Sequence, residues 1–321
     1  MKYAFFACLV TTAFTSSLFT RTLRCEELVK ASEIVSVWDK SPCPPTSVQF
    51  RYSSPEFTAA VPEGTRGPGG LTPVDGKLVI PARVEQFGLS FLSPTRIRLD
   101  NLSTGDKSNI IDDKSVYLRT QKLPDPEDSH LSSVLIHPSS DSVIRMLGVA
   151  NKILFWLDPK STDQGREMVF MQDKNFPVTS SKQHGEIVAV EFEKAAFEFA
   201  KRYNWRPVTI KWLNKGEIRA IETFDYSGEP GFPKLVSWAS IVITSGERAD
   251  LRVDSISGKV SLSDIQIVLP ENCVITDTMK STRVTTVREN GREAVLNKEE
   301  ALANTSFHDK LENKLNRTKA K

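Results

Sequence analysis

Apolar and polar residues alternate along most of this chain, and the period changes in only a few places. "SVQFRY" puts Val48, Phe50 and Tyr52 on one face, and "QFGLSFLS" does the same with Phe87, Leu89 and Phe91. Ile97 with Leu99, Val116 with Leu118 and Val134 with Ile136 continue the series. Each run is short, half polar and bounded by Pro, Gly, Asn or Asp, which predicts antiparallel strands with one wet face. "EIVAVEF" alternates again, and "VTIKWLNKGEIRAI" reads as a hairpin with Val208, Ile210 and Trp212 facing one way and a turn around Gly216. "LVSWASIVI", which carries Trp238, and "DLRVDSISGKVSL" read as another pair, with Ser257-Gly258 at a turn. "DIQIVL" reads as a last strand on Ile265, Ile267 and Leu269, stopped by Pro270.

Two stretches carry a helical period instead. In "EELVKASEIVSVWDK" (Glu26–Lys40), Leu28, Ala31, Val35 and Trp38 recur at steps of three and four, and Ile34 widens the stripe. Pro42 disfavours helical geometry at Ser41 and ends the element. "DSVIRMLGVANKILFW" (Asp141–Trp156) has Val143, Met146, Leu147 and Ala150 at helical spacing, with Asp141 as the expected cap. No strand–helix–strand rhythm appears, so a doubly wound nucleotide-binding fold is not expected.

Three segments fall outside both periods. The N-terminal residues 1–25 have Lys2, then an apolar stretch from Tyr3 to about Phe19, then polar sequence, which is the layout of a secretory signal peptide. The serines and threonines inside it make a poor permanent span, and no later run predicts a transmembrane segment. The region of about 55–81, with "PEGTRGPGGLTPVDG", reads as a long Gly/Pro-rich surface loop. Residues 285–321 are charged and poor in large apolar side chains, and read as a solvated, flexible tail with a short helix near Lys298–Ala303. The folded domain is thus expected over 26–284.

Composition changes the picture little. Hydrophobic residues make up 39% of the 321 and charged ones 26%, an ordinary globular balance. A formal net charge of +2 gives no basic surface for nucleic acid. The four histidines, His130, His137, His184 and His308, show no metal-binding spacing. There is no G-x-S-x-G elbow, and no cofactor motif; Asp112-Asp113 reads as a solvated turn rather than a calcium or acid–base site. Asn101, Asn304 and Asn316 stand in acceptor sequons.

Three stretches carry a resemblance. "IVSVWDKSPCPPTSVQFRY", "FAKRYNWRPVTIKWLNKGEIRAIETFDY" and "DSISGKVSLSDIQIVLPENCVITD" resemble the opening helix and first strand, the corner and long hairpin, and the last strand of a group of secreted bacterial proteins common in planctomycetes. That group is similar in layout to the periplasmic outer-membrane lipoprotein carrier family. The resemblance covers Val29 to Asp277 and implies an α+β fold, mainly antiparallel: a curved open half-barrel covered by the Glu26–Lys40 helix and a second short helix. It also implies an exported, non-enzymatic protein of the periplasm or cell exterior that holds a lipid, a lipidated partner or another apolar ligand.

Phe50, Phe87, Leu89, Phe91, Trp212 and Trp238 fall on the inner faces of the expected strands. They are either an ordinary packed core or the lining of an apolar concavity; in the first case the protein is a structural or interaction module of the cell envelope. Cys43 lies just before the first strand and Cys273 just after the expected last one. In an oxidising compartment they either form a disulfide across the open edges or remain free.

Overall fold

A computed structural model describes residues 31–40, 43–61, 72–105, 107–112, 116–123, 127–138, 148–159, 180–228, 233–266, 268–279 and 284–319. The expected signal peptide (1–25), residues 26–30 of the expected first helix, residues 62–71 of the Gly/Pro-rich stretch and Asp113 of the expected turn lie outside the described residues. Among the described residues no helix is long and apolar enough to cross a membrane.

The chain opens with helix α1 (Ala31–Lys40). Strands β1 (Thr46–Ser54), β2 (Phe57–Ala60), β3 (Lys77–Ile80), β4 (Arg83–Ser93), β5 (Arg96–Asn101), β6 (Lys107–Asp112), β7 (Val116–Lys122) and β8 (Ser132–Pro138) follow. Helix α2 (Ala150–Leu157) precedes β9 (Ser180–His184), β10 (Ile187–Glu191), β11 (Ala195–Ala200), β12 (Arg206–Asn214), β13 (Glu217–Ser227), β14 (Lys234–Val242) and β15 (Arg248–Ser257). Last come the short helix α3 (Leu262–Ile265), β16 (Cys273–Asp277), β17 (Val284–Glu289), β18 (Arg292–Leu296), α4 (Lys298–Leu302) and α5 (Phe307–Lys319).

Sixteen of these strands form one open sheet in the order β18-β17-β16-β8-β7-β6-β5-β4-β1-β15-β14-β13-β12-β11-β10-β9. All neighbours are antiparallel except β16 and β8, which run parallel from Cys273↔Ser132 to Asp277↔Ile136. That parallel contact requires a crossover, because β15 lies at the centre of the sheet and β16 far from it. Residues 258–272 make the crossover, and α3 packs on β4 and β5.

Period-two alternation explains the layers. On β4, Phe87, Leu89 and Phe91 are buried, and on β5 Ile97 and Leu99. They join Val48 and Phe50 of β1 and the inner residues of β10 to β15 in one apolar cluster, into which α1 sends Ile34 and Trp38. Ile110 of β6, Val134 of β8 and Cys273 and Ile275 of β16 form a second cluster with Ile265 of α3. The intervening Val274 points to a third, with Leu131, Val287, Ala294, Leu296 and Leu311. The mainly antiparallel, open α+β fold expected from the alternation is therefore the one observed.

Several local expectations are corrected. "DIQIVL" is not a strand: the Asp264 carboxylate accepts the Ser261 N–H at 2.7 Å, and this cap starts α3 in its place. Of the second expected helix, the part from Ala150 to Leu157 is found, preceded by Gly148 at φ +56°; the expected start at Asp141 lies outside the described residues. The Gly/Pro-rich region holds a small hairpin, β2 with β3, in which Phe57 pairs with Ile80. Residues 285–321 are not a solvated tail, since β17, β18, α4 and α5 extend the sheet past residue 284 and bury Val287, Leu296 and Leu311. Asn290 and Gly291, both at positive φ, make the tight turn between β17 and β18.

Candidate functional site

Among the described residues the inner face of the central strands is closely packed. Phe50 and Leu89 are 0% exposed, Phe91 2%, Trp238 5% and Phe87 7%. Trp212 is half-buried against the same cluster. Phe50 and Phe87 stack with centroids 5.4 Å apart, and Phe197 meets Trp212 edge-on at 6.3 Å. What fills the space is α2, whose Ile153, Leu154, Phe155, Trp156 and Leu157 are all buried. The six residues expected to line an open apolar concavity are therefore packed core.

The packing is fixed by polar pins at the helix. Glu222 on β13 receives Lys152 of α2 on both carboxylate oxygens, at 2.9 and 2.7 Å. The Trp212 indole N–H donates to Oε1 and the Trp238 indole N–H to Oε2, each at 2.9 Å. Two of the sequence-predicted aromatics thus meet on one buried acid, which accepts four hydrogen bonds from three donor groups. At the other end of α2, Trp156 Nε1 donates to the Pro233 carbonyl at 2.6 Å, and Arg206 Nε donates to the Trp156 carbonyl at 2.7 Å. Burial pushes the Arg206 guanidinium below its ordinary value, against the pull of Tyr226. Trp38 of α1 donates to the Trp205 carbonyl at 3.0 Å, which seats the first helix likewise.

The cysteines are free, so the bridge expected as one alternative is absent. The reason is topological. The expectation set the first and last strands at the two open edges, yet β1 lies in mid-sheet, and β4 to β8 separate it from β16. Burial pushes the Cys43 thiol up to about 11, against a hydrogen bond with Thr46. Asn101 is also spoken for: it is 6% exposed, and its side-chain oxygen accepts the Ser103 and Thr104 N–H groups. Its side-chain nitrogen, the atom a glycan would occupy, donates to Glu85 at 3.2 Å.

The open site lies at the other end of the sheet. A half-open cavity of about 730 Å³ is formed by Thr276 of β16, Thr285 of β17, Val295 and Leu296 of β18, the start and end of α4, and Phe307 of α5. Ala301, Leu302 and Val284 complete its apolar wall, and among the described residues Lys298 is its only charged lining residue. Leu302 is 73% exposed and Val295 54%, so a large part of that wall faces water. The local chain builds this shape deliberately: Asn297 caps α4 by accepting the Glu300 N–H at 2.8 Å, while Glu300 accepts the Asn297 N–H at 2.8 Å. Lys314 of α5 then holds Glu300 at 2.8 Å, which locks the two helices together.

Sequence reasoning missed this site because it took the segment for a tail. The histidines showed only the absence of metal-binding spacing in the sequence, whereas in the fold His130 and His308 both meet Glu289 at the end of β17. His184 is exposed at the end of β9, and the side chains of His137 and Asp112 lie outside the described residues. Among the described residues no three His, Cys, Asp or Glu side chains are placed to hold a metal ion.

No family model and no curated protein matches the chain. Among solved structures, a LolA superfamily protein from Nitrosomonas europaea is 10% identical, with 75% of this chain and 98% of that one covered and a TM-score of 0.40. An outer membrane lipoprotein-sorting protein domain from Vibrio parahaemolyticus is also 10% identical, covering 74% and 97%, with a TM-score of 0.41. A DUF1329 family protein from Desulfovibrio piger gives 10%, 74%, 96% and 0.36 in the same order. The first two bear the name of the family that the sequence resembles; the site itself is read from this chain's own geometry.

Proposed function

We propose that this is an exported, non-enzymatic binding protein that takes a single-chain lipid with an anionic head into the groove between β16–β18 and the helices α4 and α5. The observation that carries the reading is the 730 Å³ apolar cavity with, among the described residues, one cation, Lys298, on its wall. Pockets for small apolar ligands span roughly 300–1,000 Å³ and are lined mainly by hydrophobic side chains with few polar groups. Val284, Val295, Leu296, Leu302 and Phe307 suit an acyl chain, and Lys298 supplies the charge complement to a phosphate, sulfonate or carboxylate head. Export rests on Lys2 followed by the apolar stretch of the first residues.

The rival reading, a structural or interaction module of the envelope, is favoured for the central part of the sheet by its packed interior. The two readings part at the groove. A fluorescent alkyl sulfonate with a twelve-carbon chain should bind the mature protein, and Leu302→Asp and Val295→Asp should each weaken it at least roughly tenfold. Both side chains are exposed, so stability should change by about 0.5 kcal/mol or less. Native mass spectrometry of the purified protein checks for carried lipid. Wild-type protein that takes up no anionic, zwitterionic or neutral single-chain lipid leaves the rival standing; capture of a lipidated protein but no free lipid would reassign the occupant.

A further inference from the structure

The first turn of α5 forms one wall of the groove through Phe307, and a cluster of titratable groups holds that turn in place. Glu289, at the end of β17, is only 3% exposed. Its Oε1 lies 2.6 Å from His130 Nε2, and its Oε2 lies 2.8 Å from His308 Nδ1. A carboxylate only accepts, so each ring nitrogen must donate. The turn before β8 reaches both β17 and α5. His130 reaches Glu289, and the neighbouring Asp128 carboxylate accepts the Phe307 N–H at 3.0 and 2.9 Å.

We infer that His130, Glu289 and His308 form a proton-dependent clamp on α5, which holds the groove closed around its ligand in mildly acidic medium and loosens it as the pH rises. The inference rests on the groove being the binding site. Both histidines are nearly half exposed, at 44% and 46% of their side chains, so protons reach them from solvent, while Glu289 stays covered.

The charges facing the cluster give the sign. Glu289 is faced by His130 from the turn before β8, by His308 from α5 and by Arg292 of β18 at 3.8 Å. Burial pushes the Glu289 carboxyl up, but the hydrogen bonds and charges of His308 and His130 outweigh this and hold it below its ordinary 4.5. His308 is raised above its ordinary 6.5 by the hydrogen bond to Glu289 and its charge, with Glu312 and Asp309 adding to it. Arg292 also pairs with Glu312, and Lys310, near Asp128, donates to the Ala301 carbonyl at 3.1 Å. A raised histidine contributes fully below its unfolded value and loses the contribution as pH rises through its folded one. A depressed carboxylate contributes above its unfolded value and loses it as pH falls through the folded one. The clamp is therefore strongest between about 4.5 and 6.5, and weakens upward from there.

The test uses the mature chain and the same alkyl sulfonate, whose head does not titrate in this range. Hydrogen exchange of residues 307–319, corrected for intrinsic rates, reads the clamp; probe affinity reads the groove. Between pH 6 and pH 8.5 the wild type should lose protection there, and affinity should fall roughly two- to fivefold, the scale of one exposed ion pair. His308→Gln should be flat in both readouts at the weaker level, and His308→Arg flat at the tighter one. Protection that ignores pH in the wild type, or an equal slope in His308→Gln, overturns the clamp. Protection that follows pH in a protein that binds no probe removes the ligand from the inference and the groove reading with it, while the clamp stands.

Discussion

The two ends of the sheet solve the same problem with different materials. Around β10–β15 the inner face is aromatic, with Phe197, Phe199, Phe224, Tyr226 and Trp238, and it closes over a helix that is buried along its whole length. Around β16–β18 the inner face is aliphatic, with Val274, Val287 and Leu296, and the amphipathic α5 covers only part of it. Large rings and α2 pack the described residues of the first region into one buried cluster. Small side chains under two short polar helices leave a cavity in the second. The comparison teaches that in this chain the aromatic face marks the scaffold, and the apolar surface available to a ligand lies where aromatic residues are few.

The strongest way to break that comparison is at the acid under α2. Glu222→Ala leaves the Lys152 ammonium and the two indole N–H groups of Trp212 and Trp238 without their shared acceptor. Removing one member of a buried pair costs about 3–5 kcal/mol. The denaturant midpoint of the whole protein should fall accordingly, since the helix it pins fills the main core. A variant that melts within about 0.5 kcal/mol of the wild type would mean that α2 is not what holds the aromatic region together.

The C-terminal region should respond less and more locally. Leu311 is 0% exposed and is the main anchor of α5 on β17 and β18. Leu311→Ala should cost about 2 kcal/mol, the low end for a buried leucine, because the neighbouring groove lets the site relax. Hydrogen exchange should quicken over 307–319 while the amides of β10–β14 keep their protection. Equal loss of protection at both ends would show a single cooperative unit and erase the distinction.

How far each region was legible follows from the range of its signals. Alternation is local, so β1, β4, β5 and the β12–β13 hairpin could be read from a few residues each, down to the turn at Lys215 and Gly216, both at positive φ. The C-terminal hairpin was as legible in principle, because Asn290-Gly291 between "TTVRE" and "REAVL" is a strong two-residue turn signal. Its charge content masked it, since Arg288 and Glu293 pair with each other at 2.8 Å across the strands and leave the opposite face apolar. The Ser261–Asp264 and Asn297–Glu300 caps were likewise written in the chain. What no local pattern held was the crossover that sets β16 beside β8, or the meeting of His130 with Glu289, 159 residues away. The groove depends on both, and so does the clamp.

The smallest expected effect is none, and it sharpens the comparison most cleanly. Cys43 belongs to the edge of the aromatic cluster and Cys273 to the cluster under α3, so the two thiols sit in different parts of the molecule. A disulfide between them would close a loop of most of the folded chain and would stabilise by roughly 3–5 kcal/mol on the chain-entropy account. With both thiols free, a reducing agent has nothing to cut, and the denaturant midpoint of the mature protein should be the same with and without it. Labelling of the unfolded, unreduced protein should modify both residues. In the folded protein both should react slowly, Cys43 because burial holds its thiol near 11 and Cys273 because burial raises it and the side chain is covered. A midpoint that drops on reduction, with neither residue labelled beforehand, would tie the two regions by a covalent link and require β1 and β16 to approach far more closely than five intervening strands allow.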